Sequence, residues 1–312
     1  MFNRSFTSIL DIINTFPDEQ ACIEYLEEAR WGNNVISPFD ETSKVYECKN
    51  NRFKCKNTGK YFNVRTQTMF DNSKIELQKW FIAIWLCTSH KKGMSSLQLG
   101  RDLNITQKSA WFMLQRIRNC FGIDTDPSDN MVEVDETYVG GANKNKSLSK
   151  RRELHKNGNQ TGGNHKTPVL GILEREGRLK GIVIPESTGK TIKPILFDEI
   201  KQSAIVVTDG SGVYRDINKN FSDHQKVYHN KDQYVNGQYH TNTIEGFWAL
   251  LKRNIFGIHH SVSAKHLQLY VNNMVFHYNE RKLTTHERFN LLILNSDTRL
   301  KYKDLIKKNG ED

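Results

Sequence analysis

A chain of 312 residues, 37% of them apolar and 26% charged, is long enough for two or three domains. Its 45 Lys+Arg against 35 Asp+Glu leave a net charge of +10, a field that favours polyanionic partners, nucleic acid first and an acidic membrane surface second. Five cysteines in no even, closely spaced framework argue against a disulfide scaffold, no apolar run approaches the ~20 residues of a membrane span, and MFNRSFTSILDIINTF lacks the features of a signal peptide, so a soluble, cytoplasmic protein is expected.

Residues 18–30, DEQACIEYLEEAR, predict a short amphipathic helix with an acidic first turn. From Val45 to Val64, short alternating runs are broken by Asn-Asn and Asn-Thr-Gly. They predict a three-stranded ribbon with a two-residue turn at Asn50-Asn51 and a knuckle at Asn57–Gly59, too small to own much of a core. In KIELQKWFIAIWLC, Leu77, Trp80, Phe81, Ile84 and Trp85 recur at helical spacing. SSLQLGRDLNITQKSAWFMLQRIRNCF then gives two helices broken at Asn104-Ile105-Thr106, the second capped by Thr106 and buried through Ala110, Met113, Leu114 and Ile117. A short helix, a three-residue turn and a longer capped helix describe a helix-turn-helix, in a segment (74–122) with eight Lys/Arg against two acids. Gln107, Lys108, Ser109 and Gln115 or Arg118 would then face a DNA groove. The plainer alternative is a three-helix satellite with a solvated basic face.

From Met131 the period switches to two. MVEVDETYV, TPVLGILERE and RLKGIVIP read as strands, TIKPILFDEI as a helix, and SAIVVTDG and HQKVYHN as two further strands. Between the first two strands, residues 143–166 form a Gly/Asn-rich loop with seven Lys/Arg and one acid, where Lys144, Lys150, Arg151 and Arg152 are candidates for DNA contact. Three strands, a helix, two strands and a final long helix is the order of an RNase H-like α+β core with a mixed five-stranded sheet. The expected division is an N-terminal helix and ribbon (1–72), a helix-turn-helix (73–122), the α+β core (123–290) and a C-terminal tail (291–312).

The final helix, HTNTIEGFWALLKR, places Asn242, Glu245 and Lys252 near one stripe of an otherwise apolar surface. Those residues admit two readings. Asn242 can be an N-cap with Glu245 its capping-box partner, and Lys252 can serve the C-terminal end of the helix dipole. Alternatively, Glu245 joins two strand acids. Asp135 shares a face of its strand with Glu133 and Thr137, and Asp209 ends an apolar strand, where a carboxylate is expensive unless it is paired, metal-bound or a cap on the next segment. Three acids around one sheet, in a basic chain with a DNA-reading module, fit a site for two divalent cations and phosphodiester chemistry.

VEVDETYVGG, VVTDG and HTNTIEGFWALLKR resemble the three catalytic blocks of DDE transposases of bacterial insertion sequences, most closely the ISXO-two-like type. RWGNN, FNVRTQTMFDNSKI, the 96–118 segment and SAKHLQLYVNNMVFHYNERK agree as well, so the resemblance spans roughly residues 18–290. It implies an RNase H-like enzyme that binds the element's terminal repeats, nicks DNA there and joins the freed 3′-OH to target DNA as a homo-oligomer, at least a dimer on DNA. Mg²⁺ or Mn²⁺ would be held by Asp135, Asp209 and Glu245. Asn242 is the rival for the third position, and Lys252, followed by Arg253, would contact phosphate. Family members commonly carry a zinc ribbon of two Cys-x-x-Cys knuckles. Here the corresponding positions are Ser37, Asp40, Cys55 and Thr58, so zinc is not expected. Two alternatives stand beside this reading: a transposase-derived DNA-binding protein without activity, and a nuclease that cuts without joining.

Overall fold

Asp18 starts the first predicted helix by accepting from Ala21 N at 2.9 Å, and Thr106 caps the later one by accepting from Ser109 N at 3.2 Å. The computed structural model describes residues 6–122, 126–141, 148, 149, 152, 166–228 and 237–307. The chain divides into two units, one of residues 126–279 and one that combines residues 6–122 with 280–307.

The first unit opens with α1 (Ile9–Thr15), which sequence reasoning did not single out, and α2 (Glu19–Trp31). Strands β1 (Val45–Cys48), β2 (Arg52–Cys55) and β3 (Tyr61–Phe62) form an antiparallel sheet in that order. Cys48 pairs with Arg52, so the first connection has three residues rather than two, with Asn50 and Asn51 both at positive φ, where asparagine is tolerated best after glycine. Its inner face packs Phe53, Cys55 and Phe62 against Trp31, Val35, Phe39 and Val45. The knuckle position Cys55 is buried, and hydrogen bonds from Ser37, Ser43 and Thr58 outweigh that burial and bring its thiol down to about 6. Helices α3 (Leu77–Ser89), α4 (Ser96–Asp102) and α5 (Gln107–Asn119) follow.

In the second unit, β4 (Met131–Val139), β5 (Thr167–Glu174), β6 (Leu179–Val183), β7 (Ile205–Asp209) and β8 (Asp223–Val227) build one sheet of order β6-β5-β4-β7-β8. β4, β5 and β6 run antiparallel, while β7 and β8 are parallel to β4. This order and these directions fit an RNase H-like core. Helix α6 (Gly189–Glu199) packs Ile192 and Leu196 on one face, against Val132, Val134, Ile172 and Val206. Helices α7 (Asn242–Asn254) and α8 (Ala264–Asn279) cover the other through Ile244, Trp248, Leu251, Val271 and Met274. Among the described residues, no helix is long and apolar enough to cross a membrane.

The chain then returns to the first unit with α9 (Thr285–Leu294) and α10 (Tyr302–Ile306). Phe289 of α9 is fully buried, with ring contacts to Phe6, Phe16, Tyr25 and Phe81. The second unit therefore closes at Asn279, short of the expected boundary at 290, because the apolar face of α9 fills the core of the first.

Candidate active site

The register of the central parallel pair decides which acids meet. Val134 of β4 stands opposite Thr208 of β7, so Asp135 and Asp209 take the next position on neighbouring strands and share the face beneath α7. Burial, with the nearby Glu136 and Asp209 charges, raises the Asp135 carboxyl to about 6, against the opposing hydrogen bond that Trp248 Nε1 donates at 2.9 Å. Asp209 also accepts from Ser211 N at 3.0 Å, so its turn-capping role coexists with the pairing. Glu136, pointing to the opposite face, accepts from Ser187 Oγ at 2.8 Å and from the Tyr214 hydroxyl. Its burial raises its pKa, as does the charge of Asp209, and these two hydroxyl bonds oppose the rise.

A further acid of β4 fastens α7 over this pair. Glu133 is 0% exposed. Its Oε2 accepts from Thr243 N at 3.2 Å and Ile244 N at 3.1 Å, and its Oε1 accepts from Thr243 Oγ1 and Arg175 Nη2, both at 3.0 Å. The first amides of a helix have no intrahelical acceptor and gather the positive end of its dipole. A carboxylate there satisfies both, and Arg175 compensates its charge. The close approach of helix to sheet depends on Gly171, the β5 partner of Asp135. A Cβ at Gly171 would meet Trp248 Cζ2 at 2.5 Å and Ile244 Cδ1 at 2.7 Å.

Asn242, Glu245, Lys252 and Arg253 line the exposed side of α7. The capping box offered for this helix is corrected. Thr241 is the N-cap residue and Asn242 lies inside the helix, because Glu133 already takes the amides that an asparagine cap would serve. Glu245 instead accepts from Thr241 Oγ1 at 3.0 Å. Among the described residues, no three Asp, Glu, His or Cys side chains converge closely enough to hold an ion. Asp135 and Asp209 are drawn together, and Glu245 stays on the open edge of the helix.

The predicted DNA contacts divide. Gln107 and Lys108 are exposed at the start of α5, while Ser109 is half-buried by the cap. Arg118 is 3% exposed and Gln115 0%, so the expectation that either faces a groove is corrected. The last turns of α5 lie inside the first unit, where Arg116 donates to the carbonyls of Met69, Asp71 and Leu300. Arg152 is exposed, whereas Lys144, Lys150 and Arg151 lie outside the described residues.

A model of the ISXO2-like transposase domain matches residues 128–279, the span of the second unit. An uncharacterized protein in transposable element ISH50 of Halobacterium salinarum is 30% identical over 269 residues, covering 83% of this chain and 90% of its own. The chain belongs to the ISXO2-like transposases. A pre-cleavage Mos1 transpososome structure aligns over 94% of the transposase and 98% of its own chain, at 10% identity and a TM-score of 0.26, a likeness that carries no argument about the site.

Sequence reasoning gave no part in the transposase site to Glu133, Gly171 or Trp248. Two signals were available. An isolated glycine inside the apolar run TPVLGILE marks a close approach, and strand alternation already set Glu133 on the face of Asp135. That the helix amides would descend onto Glu133 is a tertiary fact.

Proposed function

We propose that this transposase binds the ends of its insertion sequence, cleaves phosphodiester bonds there and joins the 3′-OH ends to target DNA, acting as a homo-oligomer. The observation that carries the reading is the placement of Asp135, midway along β4, beside Asp209, the last residue of the adjacent parallel β7, beneath the helix that bears Glu245. Two half-exposed carboxylates on one face of the sheet suit a divalent cation: the donors are hard oxygens, and desolvation, together with the Glu136 and Asp209 charges, raises the Asp135 pKa, which a cation would reverse. Asp135 and Asp209 would hold Mg²⁺ or Mn²⁺, and Glu245 would complete the set from the edge of α7. Bound metal supplies activation of the attacking oxygen and stabilisation of the leaving one.

The chain's own residues do the rest. Trp248 orients Asp135 through its indole N–H, and Glu133 fixes the start of the helix that carries Glu245. Lys252, exposed about two turns beyond Glu245 on α7, meets a phosphate as a point charge. Gln107 and Lys108, at the start of the second helix of a helix-turn-helix, read the element's ends. In cleavage, the oxygen of water bonds to phosphorus and the 3′-oxygen leaves as the hydroxyl. In joining, that hydroxyl oxygen bonds to a target phosphorus and the target's own 3′-oxygen departs, so one phosphodiester replaces another.

The test incubates purified protein and Mg²⁺ with labelled element ends and a target plasmid. Joined product is expected from the parent and not from Asp135→Asn or Asp209→Asn, both of which keep end binding. Joining by either variant overturns the assignment.

A further inference from the structure

The outer face of the β1–β3 sheet serves none of the roles described so far. Tyr46 stands opposite Lys54, and Lys54 opposite Tyr61, forming one row across all three strands, with Arg52 in the neighbouring row. The inner face is taken up by packing of Phe53, Cys55 and Phe62. The outer face therefore presents Lys44, Tyr46, Arg52, Lys54 and Tyr61, and its two tyrosines are 42% and 51% exposed. Each ring is attended by cations: Lys44 Nζ lies 5.4 Å from the Tyr46 centroid, and the Arg52 guanidinium and Lys54 Nζ lie 4.9 and 5.6 Å from that of Tyr61.

Charge on this face has one sign. Between Lys44 and Tyr61 the sequence holds six basic residues (Lys44, Lys49, Arg52, Lys54, Lys56, Lys60) and one acid, Glu47. Glu47 pairs with Phe53 and so points to the inner side, where its charge acts on Glu27 of α2. A face meant only for water needs no aromatic rings. Two exposed rings about 10 Å apart, two strand spacings, set among cations, offer π-surfaces for bases and positive charge for the phosphates between them. Base faces are hidden in a duplex and available in an unpaired strand.

We infer that the outer face of this sheet binds single-stranded DNA, with Tyr46 and Tyr61 stacking on bases and Lys44, Arg52 and Lys54 neutralising phosphates. The inference rests on the DNA-transposase reading only for the occasion of use, an unpaired strand exposed at a cut end.

Fluorescence anisotropy on the full chain, with labelled oligothymidine and a duplex of equal length at several salt concentrations, tests it. Tyr46→Leu/Tyr61→Leu is expected to weaken oligothymidine binding about tenfold per ring, with duplex affinity and salt slope unchanged. Tyr46→Phe/Tyr61→Phe retains the rings and is expected to bind like the parent, which separates stacking from folding. Arg52→Gln/Lys54→Gln is expected to reduce the single-strand salt slope by about 0.7 per charge. A Leu variant that binds oligothymidine as tightly as the parent, or a Phe variant as weak as the Leu variant, overturns the proposal, as does a parental preference for oligouridine. The joining assay on the same preparations keeps the two readings apart. A parent that fails to join yet loses oligothymidine with the Leu variant keeps this surface and removes the transposition reading.

Discussion

Asp135 pays for its position in a way that pH exposes. Its carboxyl holds a proton up to about 6 in the folded chain against an ordinary 3.8, so its contribution to stability is complete below about pH 4 and lost as pH rises through 6. Glu136 shifts in the same direction. In chelator, Asp135→Asn is therefore expected to gain on the order of 2 kcal/mol at pH 7.5 and nothing at pH 4, read from urea midpoints at the two pH values. Equal gains at both would discard the electrostatic origin. Replacing Glu133 is expected to destabilise, because both of its buried carboxylate oxygens accept hydrogen bonds. Glu133→Ala leaves two helix amides without their acceptor and Arg175 without its carboxylate partner, and the expected loss is about 3–5 kcal/mol. A loss below 1 kcal/mol in the same denaturation experiment would mean that water replaces the carboxylate.

Helix α7 separates what a residue does for folding from what it does for chemistry. Since Glu133 supplies the cap, Asn242→Ala is expected to change stability by less than about 0.5 kcal/mol. Glu245→Gln is expected to leave the melting temperature in place and abolish joining. A Glu245→Gln protein that still joins, beside a folded but inactive Asn242→Ala, would hand the third position to Asn242. Helix α5 divides along its length. Lys108→Ala is expected to lower the salt slope of end binding by about one, whereas Arg118→Ala, at a buried site, is expected to reduce folded yield before any binding can be scored. An Arg118 variant that folds normally with a reduced slope would restore the groove contact. Legibility followed locality. Thr106 was readable as a cap, residues 18–30 as a helix with an acidic first turn, and MVEVDETYV as a strand bearing Asp135, because the determining contacts are three or four residues away or repeat with period two. The Glu133 cap spans 110 residues of sequence, and Arg116 is buried by carbonyls 45, 47 and 184 residues distant. No periodicity encodes such partners.

For the whole molecule, the two units are expected to unfold separately when the core of one is damaged. Phe289→Ala removes a fully buried ring from among four aromatic neighbours and is expected to cost the first unit about 3–5 kcal/mol. Hydrogen exchange should then show protection lost in α2, α3 and α9 while the β4–β8 sheet keeps its own. Uniform loss in both units would show that they fold as one. The return of α9 to the first unit also orders events during synthesis. Domains fold as they emerge from the ribosome, N-terminal first, but here residues 6–122 share their core with Phe289, made much later, while residues 126–279 form a unit continuous in the chain. The nascent chain is thus expected to complete its middle before its beginning. A message truncated near codon 280 would yield a finished acid-bearing sheet attached to a first unit that still lacks the centre of its core.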